Sequence, residues 1–385
     1  MSESLRQSVR LYDNPIMASA HDHAETLSAT TMPAARLHGP RDLRCEEVAP
    51  PGPPPPGWVT IAVGCVGICG SDLHTYEDGR IGDTAVESPL TLGHEFAGRV
   101  VAVGDPAVAG SGEALRVGDR VAVDPAWPCG RCEPCRRGHP NLCVDHAFAG
   151  VWPTPGAMQG WINAPASACF PVPESVTDED AAMLEPLGVG LHAVDLGHVR
   201  VGVSVLVVGA GPIGLLVAQA ARLAGARPVI VTDPIAERVA LARQQGSEVI
   251  RVEPGGGGDA VSRITALTAG HGVDVAFEAA WSGDDAIAQA VDALKPGGRL
   301  VVVGIAGDDR LTFRHSAARR KGLTIAMCRR MKHTYPRALR LAQAGDVDLR
   351  SMITHRFSLE QAGDALDLAL SRRDGAVKVM VNVAS

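Results

Sequence analysis

The chain contains no basic run and no basic patch interleaved with aromatics. Phe, Trp and Tyr make up only 4% of its 385 residues, and Asp plus Glu outnumber Lys plus Arg by 43 to 36. A formal charge of −7 without a cationic face excludes a nucleic-acid binder. Long hydrophobic runs are also missing. The most apolar stretch, Val203–Ala221, is interrupted by Gly209, Gly211, Pro212 and Gly214, so no membrane helix is expected. The N-terminus carries Glu3 and no apolar core, so no secretory signal is read and a cytoplasmic protein is expected. There is no internal repeat.

What is present points to a folded enzyme-sized protein. Hydrophobic residues are 46% of the chain, and the length suits two or three domains at the usual ~150 residues each. The 43 glycines and 27 prolines predict many sharp turns. Residues 1–31 are polar and unpatterned, and are expected to form a disordered extension. From Met32 to about 184 the runs are short and β-branched, as in Val59–Val63, Gly98–Val103 and Arg120–Val123, with Gly-Asp turns between them. Beyond 185 the pattern changes. Val205–Val208, Val229–Thr232, Glu248–Val252, Val273–Phe277, Arg299–Val303 and Leu323–Met327 are apolar strands. They alternate with helical segments Ile213–Leu223, Ile235–Gln245 and Asp284–Leu294. Such alternation predicts an α/β fold with a doubly wound parallel sheet over 185–330, followed by a mixed tail from 331 to 385. Gly255–Gly258 reads as a surface loop.

The first chemical motif is Gly209-Ala-Gly211-Pro-Ile-Gly214, between an apolar strand and a helix, with Asp233 ending the next strand. The glycines permit a tight turn and close approach of a pyrophosphate, and Asp233 can accept ribose hydroxyls while repelling a 2′-phosphate. NAD is therefore the expected cofactor. Arg238 either lies over the adenine or is an ordinary solvated arginine; Ile213, Val303 and Ile305 complete the expected cofactor set. The second motif is Cys129-x2-Cys132-x2-Cys135-x7-Cys143, a spacing that closes a tetrahedron of thiolates around a structural zinc. Arg131, Arg136 and Arg137 offset part of its charge. The third is dispersed: Cys69, His94 with Glu95, and Glu185. A thiolate, an imidazole and a carboxylate would leave one position open on a catalytic zinc, although spacing alone does not choose between the two glutamates.

These motifs together resemble the zinc-dependent medium-chain alcohol dehydrogenases. Gly67-Ile-Cys69-Gly-Ser71-Asp72, Gly93-His94-Glu95-x2-Gly98, the four-cysteine lobe at 129–143 and the glycine fingerprint carry the resemblance from about Met32 onward. Glu185-Pro-Leu and Arg329-Arg330-Met-Lys-His-Thr-Tyr-Pro resemble the polyol (sorbitol, xylitol, L-iditol) branch. The resemblance implies a GroES-like β-rich catalytic domain over 32–184, a Rossmann NAD-binding domain over 185–330, and a return to the catalytic domain over 331–385. It also implies two zinc ions per chain, with Cys69, His94 and either Glu95 or Glu185 at the catalytic one. Ser71 and His74 would relay the proton, and Arg330 would contact substrate. The expected reaction is NAD-dependent oxidation of a secondary alcohol, here a polyol, in a homodimer or homotetramer. L-threonine 3-dehydrogenase and 2,3-butanediol dehydrogenase share the Glu-Pro-Leu motif and stand as alternatives within the enzyme class. An NAD-binding sensor on the same fold is the non-enzyme alternative.

Overall fold

The computed structural model describes residues 30–253, 257–280, 284–307 and 310–383. The extension expected to be disordered therefore lies, apart from its last residues, outside the described part. Among the described residues no helix is long and apolar enough to cross a membrane.

The first part of the chain is built on a seven-stranded sheet. Its order is Cys169–Pro171, Arg120–Val123, Glu95–Val103, Trp58–Gly67, Lys378–Asn382 and Ile353–Ser358, with Trp161–Pro165 also pairing to Trp58–Gly67. The longest ladder joins Trp58–Gly67 to Glu95–Val103 antiparallel, with Gly67 opposite Glu95. That register sets His94 and Glu95 beside Ile68 and Cys69 at one end of the sheet. Two of its strands come from the last thirty-odd residues of the chain. Lys378–Asn382 pairs antiparallel with Trp58–Gly67 and parallel with Ile353–Ser358. Closing such a long loop is entropically slow but thermodynamically cheap, because its cost grows only with the logarithm of length.

Residues beyond 200 form the second sheet, six strands that are all parallel. Taken in chain order from Val205–Val208, the strands lie in the order 3-2-1-4-5-6. This is the dinucleotide-binding arrangement, with its crevice at the carboxyl ends of strands one and four, where the winding reverses. Every residue of Val205–Val208 and Val229–Asp233 is buried, because helices cover both faces. The helix Pro212–Leu223 opens on Pro212 at its first position, where the missing N–H costs nothing.

Helix Leu184–Gly197 joins the two sheets. Met183, Leu184 and Leu187 belong to one buried cluster that also takes in Ala97 and Phe170 on one side and Val205, Val207 and Phe277 on the other. Helix Tyr335–Ala344 packs beside it, and Tyr335 stacks on Phe170 at 4.7 Å while its hydroxyl donates to the Val123 carbonyl at 2.5 Å.

Two local readings change. The strand expected from Arg299 begins at Leu294, because a register irregularity against Val273–Val275 absorbs Lys295-Pro-Gly-Gly298. Of the expected loop Gly255–Gly258, Gly257 and Gly258 open the helix Gly257–Leu267 while Gly255 and Gly256 lie outside the described residues, and Gly258 lines the large cavity described below. A glycine-rich string reads as a loop by propensity, but the helix Gly257–Leu267 buries Ala260 and Ile264 against the sheet, and that packing decides.

Candidate active site and metal centres

Cys69 lies just past the end of strand Trp58–Gly67 and caps helix Gly70–Asp78; His94 immediately precedes strand Glu95–Val103. The ladder between those strands brings Cys69, His94 and Glu95 together, with one donor atom from each lying within 4.8 Å of the other two. Glu185 stands outside this group. His94 and Glu95 are buried, at 4% and 1% exposure. Asp72 lies against the imidazole: its carboxylate is 3.2 Å from His94 Nδ1, a charge contact without hydrogen-bond geometry, and accepts the main-chain N–H groups of Cys69 at 2.9 Å and Gly93 at 3.3 Å. Burial alone would raise the Asp72 carboxyl, yet His94 and these N–H groups hold it below the usual range. A carboxylate behind Nδ1 leaves Nε2 as the lone-pair nitrogen facing the cluster.

Glu95 has a second partner. Lys378, only 1% exposed, places its ammonium on Glu95 Oε2 and donates to the Ile68 carbonyl at 2.9 Å. Burial works to lower the Lys378 pKa, but the Glu95 carboxylate overcomes it and the net shift is upward. Glu95 Oε1 is buried with no hydrogen-bond partner. An orphan carboxylate oxygen beside a thiol and an imidazole is the donor set that zinc takes, with room left for a further ligand. The residues fit a catalytic zinc.

Glu185 is buried, at 4% exposure, in the first turn of helix Leu184–Gly197. Burial pushes its carboxyl up to about 7, with His94 and Arg330 opposing and Glu95 reinforcing. Arg330 lies 4.5 Å over the Phe148 ring, with Nη2 3.5 Å from Asp124 Oδ1; Phe148 in turn lies 5.3 Å from the His94 ring. Ser71 Oγ lies 3.5 Å from His94 Nε2. His74 is buried rather than a surface residue, and it bonds to the main chain of Ile305 across the cleft.

The four cysteines of the lobe also converge, with donor atoms within 4.8 Å of one another. Cys143 Sγ is 3.5 Å from Cys129 Sγ and 3.8 Å from Cys132 Sγ. Main-chain N–H groups point at the sulfurs: Cys129 and Asp145 onto Cys143 at 3.3 and 3.4 Å, and Cys132 onto Cys129 at 3.4 Å. Such donors favour thiolates: the Arg131 and Cys132 N–H groups draw the Cys129 thiol below the usual value and the Cys135 and Val144 N–H groups do so for Cys132, while burial raises Cys135. Four sulfurs with no open position make a closed structural zinc site.

A cavity of about 770 Å³ runs from Cys69, Ser71, His74 and Glu95 to the carboxyl ends of the parallel strands. Gly209, Gly211, Ile213, Asp233, Arg238, Val303 and Ile305 all line it. Gly209 has φ +100, and a Cβ on Gly214 would collide with the Gly209 carbonyl oxygen, so both positions require glycine. Asp233 accepts Ala210 N–H at 2.7 Å and Ile235 N–H at 2.8 Å, one on each oxygen, which leaves further lone pairs for ribose hydroxyls. Arg238 is half-buried and donates to the Ala376 carbonyl at 3.1 Å, so it is not a solvated arginine.

Comparison with known proteins agrees with this geometry. Residues 55–174 match the alcohol dehydrogenase GroES-like domain and residues 212–344 match the zinc-binding dehydrogenase family. A sorbitol dehydrogenase from Bacillus subtilis is 37% identical over 91% of this chain and 97% of its own length. The chain is a zinc-binding medium-chain dehydrogenase of the polyol branch. An L-arabinitol 4-dehydrogenase from Hypocrea jecorina is 39% identical to this dehydrogenase over 85% of each chain. Among solved structures, an alcohol dehydrogenase from Escherichia coli complexed with NADH superposes with a TM-score of 0.81, at 30% identity over 92% of this chain and 100% of that one.

The structure gathers Cys69, His94 and Glu95 into one donor cluster and the four lobe cysteines into another, and sets most of the expected cofactor residues along one cavity, while Glu185 and Arg330 stand outside both clusters and the cavity lining. Sequence reasoning did not reach every residue around them. It missed Lys378, Asp72 as the His94 partner, and Phe148. For Lys378 a signal existed: a lone cation inside the apolar strand Val377–Val381 is rarely buried unless paired.

Proposed function

We propose that this enzyme oxidises a secondary hydroxyl of a polyol to a ketone with NAD. The observation that carries the reading is that buried Glu185 interacts electrostatically with His94 and Glu95 of the ligand cluster and with Arg330, a carboxylate and a guanidinium that could take an alcohol's neighbouring hydroxyls. A simple alcohol would offer no second oxygen to Arg330, whose Nε is buried without a hydrogen-bond partner. The names of the relatives, sorbitol and L-arabinitol dehydrogenases, support the same substrate class.

In this reading Cys69, His94 and Glu95 hold the catalytic zinc, which when bound supplies the Lewis acidity that lowers an alcohol's pKa. Glu185, outside the ligand cluster, accepts a hydrogen bond from the substrate or a water. Arg330 donates to a neighbouring hydroxyl. Ser71, within reach of His94 and lining the cavity, takes the proton from the reacting hydroxyl. His74 passes it toward solvent along the cavity that the cofactor ribose would share. Asp72 and Lys378 hold His94 and Glu95 in place. Gly209, Gly211 and Gly214 admit the pyrophosphate, Asp233 takes the adenosine ribose, and Ile213, Arg238, Val303 and Ile305 wall the cofactor. Nicotinamide is the hydride acceptor. Cys129, Cys132, Cys135 and Cys143 hold the second zinc.

A cytoplasmic homodimer or homotetramer belongs to this reading. Edge strand Thr324–Met327 supports the oligomer, with Ile325 and Met327 exposed by 40% and 65% on a sheet edge that pairs with no further strand among the described residues. The test is an initial-rate panel following the absorbance of the reduced cofactor. Sorbitol, xylitol, L-threonine, 2,3-butanediol and 2-butanol would each be assayed with NAD and NADP. A polyol with NAD should give the highest kcat/KM. A maximum on L-threonine or on butanediol would replace the polyol assignment.

A further inference from the structure

The four-cysteine lobe is the tip of a hairpin. Its two ends, Ala126–Trp127 and Ala147–Phe148, pair antiparallel, Ala147 opposite Trp127 and Phe148 opposite Ala126. The base of that hairpin therefore carries Phe148, which lies between the His94 ring and the Arg330 guanidinium. From the tip, Asn141, in the single turn Pro140–Leu142 before Cys143, donates its Nδ2 to the Arg329 carbonyl at 3.1 Å. His139 Nδ1 lies 3.1 Å from Lys332 Nζ. The lobe thus touches the Arg329–His333 arch on both sides of Arg330.

That arch is held in an unusual shape. Arg330 and His333 have φ of +55 and +52, a region that residues with a side chain occupy only when their surroundings impose it. The opposite side of the arch rests on Gly188, whose missing Cβ leaves space for Met331 and Thr334. Gly188 lies one helical turn after Glu185, so the arch is clamped between the lobe and the helix that carries the carboxylate.

We propose that the four-cysteine lobe is a positioning element of the alcohol site: Asn141 and His139 fix the Arg329–His333 arch so that Arg330 lies on Phe148 and faces the alcohol beside Glu185. The proposal rests on the reading of Arg330 as a polyol contact. It gives the lobe a part in substrate recognition, and Asn141 acts there through Arg330 rather than by touching substrate.

Asn141→Leu removes the donor and keeps the side-chain size. Lys332→Met cuts the second tether from outside the lobe, and carries the same expectation if the first variant folds poorly. Each would be compared with Arg330→Met and the double variant by KM and kcat for sorbitol and for 2-butanol. Calorimetric titration of sorbitol and NADH affinity by fluorescence complete the set. Either tether variant should raise KM and Kd for sorbitol about tenfold, while kcat, the 2-butanol KM and NADH affinity stay within about twofold. In the Arg330→Met background Asn141→Leu should add nothing for sorbitol. Equal losses on both alcohols, or additive effects in the double variant, would overturn the proposal. If Arg330→Met itself leaves sorbitol untouched, both the proposal and the underlying reading of Arg330 fail; if only the tether variants leave it untouched, the positioning proposal alone fails.

Discussion

At the scale of single residues, charge burial dominates. Lys378 and Glu95 are each 1% exposed, and each is the buried counter-charge of the other. In protein stripped of zinc, Lys378→Met leaves the Glu95 carboxylate buried without its counter-charge, and breaking such a buried pair typically costs about 3–5 kcal/mol. Urea unfolding should show a loss of that order; a loss below about 1 kcal/mol would mean that Glu95 is not stabilised by this lysine. Glu278 gives a pH test. It ends the strand Val273–Glu278, is 2% exposed, and burial pushes its carboxyl from 4.5 up to about 7, against hydrogen bonds from Ala280 and Gly304. Between those values the native state keeps a proton that the unfolded chain releases. Stability therefore falls as pH rises from 4.5 through about 7, by at most roughly 3 kcal/mol from this group. Glu278→Gln should remove that part of the fall, seen as a larger gain over wild type at pH ~8 than at pH ~5 in urea unfolding. An equal difference at both pH values contradicts the assignment. Which residue pairs with Lys378 was not legible beforehand, since Glu95 is separated from it by 283 positions and only the fold makes them neighbours.

The elements divide by how locally they are determined. Val205–Val208 and Arg120–Val123 were readable to the residue, because fully apolar or alternating runs between glycine turns leave few choices. Lys295-Pro-Gly-Gly298 was not, because tertiary pairing carries strand Leu294–Val302 through residues of poor β-propensity. The metal lobe and the glycine turn were legible as motifs, since ligand spacing and backbone approach constrain sequence directly. Choosing Glu95 over Glu185 for the ligand cluster was not, because it depends on the ladder that sets Gly67 opposite Glu95. The glycine turn offers its own test. Gly214→Val would force its side chain into the Gly209 carbonyl, so NADH affinity measured by fluorescence should fall by about tenfold or more, with zinc content unchanged. Unchanged affinity would show that the turn is not the pyrophosphate site.

At the scale of the whole molecule the seven-stranded sheet and the hairpin of Ala126–Trp127 and Ala147–Phe148 place one open and one closed ligand set in a single chain. Elemental analysis of protein purified without chelator should give close to two zinc per chain, matching the two clusters; a reproducible value near one would show that one cluster is misread. The role proposed for the Glu185 carboxylate is to recognise a polyol rather than an isolated alcohol. The most direct measurement is kcat/KM for sorbitol and for 2-butanol in the wild type and in Glu185→Cys, with zinc content checked in both. The variant keeps a metal-compatible thiol but loses the acceptor for neighbouring hydroxyls, a contact worth about 1–3 kcal/mol. The sorbitol value should fall roughly tenfold to a hundredfold while the 2-butanol value falls much less. Equal losses on both alcohols, with zinc retained, would contradict the account.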